Sequence, residues 1–246
     1  MKKSDLIFLA GHNGLVGNSI YKYLKKKKFK KIITANRKEL DLLNQSNVFK
    51  FLKKHKPKYV ILAAATVGGI KANYEQMDKF LYENLQIQNN VIHGSFMYGV
   101  KNLIFFGSSC IYPKNAKQPF KENLLLTGKL EPTNEGYALA KISGIKLCQY
   151  YSKKYKLNYK CLMPCNLYGP NDRFNDVNSH FIPAILSKLH IAKVKGIKHI
   201  KLWGTGNPKR EIMYVDDLAD ATLFFLQKKT KENLINIGTG REKTIK

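Results

Sequence analysis

Three glycines, Gly11, Gly14 and Gly17, punctuate the stretch LAGHNGLVGNSI, directly after an apolar run (DLIFLA) and directly before a segment of helical character. In that position they constrain the fold more than any other feature of the chain. Glycines permit a tight strand-to-helix turn and let backbone N–H groups approach a pyrophosphate, whose charge then sits at the positive end of the following helix. Away from a strand and a helix the same glycines would specify only a structural turn.

The pattern that follows is the one such a turn opens. Apolar runs predict strands at KKIITAN, YVILAAA, NLIFFG and YKCLMPCN. Between them, helical periods are predicted at NSIYKYLKKKK, over residues 46–55, through FLYENLQIQNNVIHGSFMYG, and from Glu135 to Tyr155. Continuous apolar strands alternating with helices predict an α/β fold, a Rossmann-type doubly wound parallel sheet covered on both faces. The Gly-Pro turn in NLYGP and the polar run NDRFNDVNSH mark a change of character. The expected organisation is therefore a dinucleotide-binding domain over residues 1–168 and a smaller lobe over 169–246. In the lobe the expected elements are a helix (FIPAILSKLHIAK), a strand (HIKLWG), a helix (VDDLADATLFFLQKK) and a short strand (LINIG), and a further helix is expected where the chain stops at TGREKTIK.

Composition excludes several classes. The 246 residues carry 43 Lys and Arg against 17 Asp and Glu, a formal net charge of +26. The lysine clusters (YLKKKKFKK, FLKKHKPK, YSKKYK) lack interleaved aromatics and any nucleic-acid motif, so a solvated, anion-attracting surface is expected and no specific nucleic acid. No run approaches the roughly 18 apolar residues of a membrane helix. The basic, apolar N-terminus is too short for a secretory signal, and a cytoplasmic location is expected. Cys110, Cys148, Cys161 and Cys165 are spaced for neither a zinc site nor a disulfide framework, which predicts reduced thiols and no metal.

The second strand bears on the choice of dinucleotide. An acid at its end would grip a ribose 2′-hydroxyl, whereas a cation accommodates a 2′-phosphate. TANRKELDLL places Arg37 and Lys38 there, which predicts NADP(H); the alternative is that both are solvated surface charges. The fourth strand ends abruptly in GSSC. Strand ends at the carboxyl edge of a parallel sheet line the ligand crevice, so Ser108 is placed to donate to a substrate carbonyl, Ser109 to cap the next turn, and Cys110 to serve as an inert thiol or an acid–base group. In EGYALAK, Tyr137 and Lys141 share a helical face, where an ammonium would favour the phenolate and ready the phenol for proton transfer.

Taken together, the Gly turn, GSSCIYP, the Tyr137 and Lys141 pair, NLYGP and SHFIPA resemble the extended short-chain dehydrogenase/reductase family. The similarity is strongest to its GDP-sugar epimerase–reductases and runs from about residue 5 to the C-terminus. The resemblance implies conversion of GDP-4-keto-6-deoxy-D-mannose to GDP-L-fucose by epimerisation at C3 and C5 and reduction at C4 with NADPH, in a homodimer. Both carbons flank one ketone, so a single oxyanion site would acidify both C–H bonds. The resemblance further implies Ser108 and Tyr137 at that oxygen, Lys141 on the nicotinamide ribose, Cys110 as base and His180 as acid.

For the cofactor it implies contacts from Gly11, Asn13, Gly14, Leu15, Val16, Gly17, Arg37, Asp41, Leu42, Lys141, Pro164, Asn166, Leu167 and His180. For the GDP-sugar it implies Lys188, Trp203 and Arg210. Three departures stand out: Lys188 replaces an arginine, Asn13 replaces a basic residue in the Gly turn, and Cys165 replaces a small hydroxyl. The family also continues for several dozen residues that complete its substrate lobe.

Overall fold

The apolar run after Asp5 forms β1 (Ile7–Ala10), and its four residues are all buried. Successive side chains of a strand face opposite ways, so Ile7 and Leu9 enter one core and Phe8 and Ala10 the other. In this computed structural model, which describes residues 1–174, 179, 181–202, 204–228 and 230–246, the same holds along the whole sheet. The first turn leads to α1 (Leu15–Lys26), β2 (Ile32–Ile33), α2 (Gln45–His55) and β3 (Tyr59–Leu62). Then come α3 (Ile70–Glu75), α4 (Met77–Met97), β4 (Asn102–Phe106), α5 (Glu135–Tyr155), β5 (Asn158–Pro164) and β6 (Asn166–Tyr168). The remainder comprises α6 (Phe181–Val194), β7 (Lys209–Tyr214), α7 (Val215–Gln227), β8 (Leu234–Ile237) and β9 (Glu242–Thr244).

Six strands form one parallel sheet in the order β2-β1-β3-β4-β5-β8. The chain leaves β1 toward β2 and returns to β3 on the other side, so the order reverses between β1 and β3. Helices α2, α4 and α5 cover one face through Val48, Leu52, Val91, Ile92, Ile142 and Ile145. Helices α1 and α7 cover the other through Ile20, Leu24, Leu218 and Leu223. Local chemistry sets the ends of these helices. The Asn44 side chain accepts the Asn47 N–H at 3.0 Å to start α2, and Lys56 and Lys156 end α2 and α5 in the left-handed region.

Several expectations give way. The strand expected at KKIITAN shrinks to two residues, because an edge strand has a single neighbour and the chain leaves it for a turn at Asn36. Residues 199–202 of HIKLWG form no strand; the strand of this region is β7, which finds partners in β6 and β9. The expected boundary at 168/169 does not divide the layers, since α7 packs on α1 and β8 pairs with β5. A buried lysine helps tie α7 back. The Lys160 ammonium, on β5, donates to the Phe225 carbonyl at 2.8 Å and to that of Lys228, capping the negative end of α7. Burial lowers its pKa.

Gly11 has φ +91°, and a Cβ there would lie 2.5 Å from the Ala64 nitrogen. A Cβ on Gly17 would meet the Gly11 carbonyl oxygen at 2.0 Å. The turn, the start of α1 and the end of β3 thus interlock with no room for a methyl group. Gly17→Ala is expected to destabilise the protein by about 1–3 kcal/mol through overpacking. Urea unfolding would measure it, and an unchanged midpoint would show that the turn relaxes freely.

Candidate active site

At the reversal between β1 and β3, the Gly14 N–H bonds the Gly11 carbonyl at 3.2 Å and Gly14 enters α1 extended, with no side-chain cap. The first-turn N–H groups of Leu15 and Val16 have no intrahelical acceptor, as at any helix start. Backbone donors at a positive helix end, with no side-chain bulk at Gly11, Gly14 or Gly17, fit a diphosphate. Asn13 is exposed beside them.

After β2 the chain closes on itself. The Asn36 side chain accepts the Lys38 and Glu39 N–H groups at 2.9 and 3.1 Å, and Glu39 returns a bond to the Asn36 N–H at 2.8 Å. The acid at this strand end is therefore turned onto the backbone, while Arg37 and Lys38 are exposed. That donor set fits a 2′-phosphate. The Asp41 carboxylate accepts the Leu43 N–H at 3.1 Å, and the Leu42 carbonyl is held by Asn90 at 2.9 Å. Both belong to the wall of this turn.

Four of the expected catalytic side chains come together at the carboxyl end of β4. The Gly107 N–H bonds the Leu162 carbonyl at 2.9 Å, after which Ser108 is extended and residues 109–111 form a single 3-10 turn. Cys110 follows Ser108 in this turn and feels the Lys141 charge. Lys141 is buried on α5; its Nζ donates to the Phe106 carbonyl at 2.9 Å and lies 4.7 Å from the centre of the Phe105 ring and 5.5 Å from that of Tyr137. The Phe80 ring stands edge-on to Tyr137 at 6.5 Å.

Electrostatics reverse one expectation. Burial, reinforced by Cys110, raises the Tyr137 phenol instead of lowering it, while burial pulls Lys141 down to about 8. Burial also raises the Cys110 thiol, against the opposing influence of Ser108 and the Lys141 charge. In a low-dielectric pocket the cost of a charged form outweighs a single neighbouring ammonium. Tyr137 is consequently a proton donor in its resting form.

Pro164 ends β5, the Cys165 N–H bonds the Ile237 carbonyl at 2.9 Å, and the Asn166 amide donates to the Glu211 carbonyl at 3.0 Å, leading into Leu167 on β6. Burial, with Glu211 nearby, pushes the Cys165 thiol up to about 11. The segment after β6 folds over the first turn, where Asn171 donates to the Asn18 side chain at 2.8 Å and Arg173 to the Val67 carbonyl at 3.2 Å. Lys188 and Arg210 stand apart, on α6 and β7. Lys188 donates to the Lys201 carbonyl at 3.3 Å beside a cavity of about 250 Å³ shared with Ile191, Ile197 and His199. Arg210 is exposed and bonds its neighbour's carbonyl at 2.8 Å. His180 and Trp203 lie outside the described residues.

Sequence reading missed Asn84, which holds the loop after β3 by accepting the Thr66 N–H at 3.0 Å and donating to the Thr66 carbonyl at 2.9 Å. It also missed Glu211, whose carboxylate accepts the Gly240 N–H at 2.6 Å. Neither carries a local signal, because each reaches a segment at least 18 residues away.

The model of the NAD dependent epimerase/dehydratase family matches residues 7–238. The chain is 52% identical over 244 residues to GDP-L-fucose synthase 1 of Arabidopsis thaliana, covering 99% of this chain and 76% of that protein. It is 51% identical over 239 residues to the GDP-L-fucose synthase of Sinorhizobium fredii, covering 97% and 76%. Among solved structures, a GDP-D-glycero-L-gluco-heptose synthase from Campylobacter jejuni, determined in the presence of NADPH, superposes with a TM-score of 0.92 at 38% identity, covering 100% of this chain and 83% of that one.

Lys141 yields a prediction with a definite sign. Its folded pKa of about 8 lies below the ordinary 10.5, so the unfolded chain binds more protons between those values. Stability attributable to this group should rise as pH rises from 8 to 10.5 and be lost as pH falls through 8. Relative to Lys141→Met, the wild type should gain on the order of 3 kcal/mol across that window. Urea unfolding at stepped pH measures it, and parallel curves for the two proteins would refute the buried ammonium.

Proposed function

This chain belongs to the NAD dependent epimerase/dehydratase family, and we propose that it converts GDP-4-keto-6-deoxy-D-mannose to GDP-L-fucose by epimerising C3 and C5 and reducing C4 with NADPH. The observation that carries this reading is the thiol of Cys110, on the same turn as Ser108 and within electrostatic reach of Tyr137 and Lys141. A carbonyl reductase needs the hydroxyls and the ammonium. A thiol in the same cluster adds the second proton-transfer group that inversion at carbon requires. The names of the two fucose synthases support the same substrate.

Gly11, Asn13, Gly14, Leu15, Val16 and Gly17 hold the cofactor diphosphate; Arg37 takes the 2′-phosphate, with Asp41 and Leu42 behind it. Lys141, Pro164, Asn166, Leu167 and His180 border the nicotinamide end. When bound, NADPH supplies the hydride for C4. Ser108 and Tyr137 donate to O4, and the negative charge gathered there on loss of a proton from C3 or C5 is held by these two donors. Cys110, as the thiolate, removes the proton, His180 returns one on the opposite face, and Tyr137 gives its proton to O4 in the reduction. Its raised pKa suits that role, since it keeps the phenol protonated. Lys188, Trp203 and Arg210 bind the GDP moiety; with lysine in place of arginine, Lys188 offers a point charge and not a planar fork.

The exposed Tyr82, Leu139 and Tyr150 on α4 and α5 support a homodimer. Four free cysteines support a cytoplasmic location. Among the described residues no helix is long and apolar enough to cross a membrane.

Incubation with GDP-4-keto-6-deoxymannose and NADPH should yield GDP-L-fucose; turnover of a GDP-4-keto-heptose alone would move the assignment to another sugar. In deuterium oxide, Cys110→Ser should slow solvent exchange at C3 and C5 by about 10²-fold or more. Tyr137→Phe should abolish NADPH oxidation while some exchange persists. Arg37→Ala should weaken NADPH about tenfold and NADH hardly at all. Equal losses for the two cofactors would remove the 2′-phosphate argument.

A further inference from the structure

The turn that carries Ser108 and Cys110 is poorly held by its own backbone. It is one 3-10 turn whose two bonds, Ile111 N–H to the Ser108 carbonyl and Tyr112 N–H to the Ser109 carbonyl, are both 3.3 Å long, beyond the usual 2.9–3.0 Å. A general base has to sit within a few tenths of an ångström of its proton, so something else fixes Cys110. Ile111, fully buried in the core beside α5, supplies one anchor. The other is Tyr112, 4% exposed. Its hydroxyl donates to the Asn236 side-chain oxygen at 2.5 Å. Asn236 lies on β8, paired in register with Met163 of β5, at the far side of the sheet from the cofactor turn.

Asn236 is a hub. Its amide nitrogen donates to the Phe120 carbonyl at 2.9 Å, its backbone N–H donates to the Glu122 carboxylate at 2.8 Å, and the Phe120 ring packs on Tyr112 at 5.1 Å. One side chain therefore ties three segments that are far apart in sequence: the catalytic turn, the loop at 120–122 and the sixth strand of the sheet. Burial raises the Tyr112 phenol to about 12, which keeps it a donor over the working pH range.

We infer that Tyr112 and Asn236 are positioning residues for epimerisation: their hydrogen bond sets the placement of the Cys110 thiol, while the hydride-transfer half of the site, held by Lys141 on the Phe106 carbonyl, is independent of it. The inference rests on Cys110 being the base.

The test measures deuterium exchange at C3 and C5, NADPH oxidation and thermal unfolding for Tyr112→Phe, Asn236→Ala, the double variant and Cys110→Ser. Each single variant should lower exchange at least tenfold, and the double variant should lose no more than the larger single loss, because both break one bond. The ratio of NADPH oxidation to exchange should rise in all three. A purely structural role predicts instead that exchange and NADPH oxidation fall together in proportion to unfolding, and that the losses multiply in the double variant; either result overturns the inference. If Asn236→Ala unfolds, Tyr112→Phe alone decides, since it keeps the ring on Phe120: exchange at the wild-type rate refutes the positioning role. Cys110→Ser separates the two claims. Wild-type exchange in that variant refutes the base itself, whereas slow exchange there with normal exchange in Tyr112→Phe refutes only the positioning.

Discussion

A single ammonium, Lys141, joins the helix that carries the Tyr137 phenol to the strand whose end leads into the Cys110 turn. Its hydrogen bond to the Phe106 carbonyl spans the last residue of β4 and the first turns of α5, and no acid shares its pocket among the described residues. A buried cation held by a carbonyl and the faces of Phe105 and Tyr137 is costly, and its pKa falls accordingly. The same low dielectric raises the Tyr137 phenol, and raises the Cys110 thiol against the opposing Lys141 charge. The charge states of the site are thus consequences of where α5 lies on the sheet.

That position is itself set by close packing. A Cβ on Gly144 would reach the Phe105 ring at 2.7 Å, and one on Gly136 would reach the Met77 carbonyl oxygen at 2.6 Å, so α5 rests on β4 and α4 at backbone distance. Gly107 serves the strand end in the same way, with the Met163 sulfur 2.2 Å from where its Cβ would be. Contacts of this kind leave little latitude in the distance between the β4 end and Tyr137. The far edge is less tightly determined: β8 has a neighbour on one side only, and the polar hub at Asn236 supplies the hold that a second strand would otherwise give.

Much of this was legible in the chain. The helix from Glu135 to Tyr155 matches the predicted span, because its turns alternate apolar and polar residues and Lys156 stops it. Strands buried on both faces read as plain apolar runs, as β1, β3 and β4 do. The small side chains after β4 and the spacing of Tyr137 and Lys141 marked out groups that the fold does bring near one another. By contrast, β7 (KREIMY) alternates weakly and is made a strand by its neighbours β6 and β9, and α7 reads as part of a second lobe although it closes the first sheet.

The sequence by itself determined the doubly wound class, the glycine turn before α1 and the chemical types gathered at one strand end, since each follows from local period, glycine geometry or residue spacing along one element. Only the tertiary structure decided their protonation. Spacing places Lys141 one turn from Tyr137, and by proximity alone would lower the phenol; folding buries Lys141 and half-buries Tyr137, and desolvation, which depends on every segment packed around them, outweighs that one charge. The bond between Tyr112 and Asn236 was equally out of reach, for it joins residues 124 positions apart that meet only once six strands have taken their order.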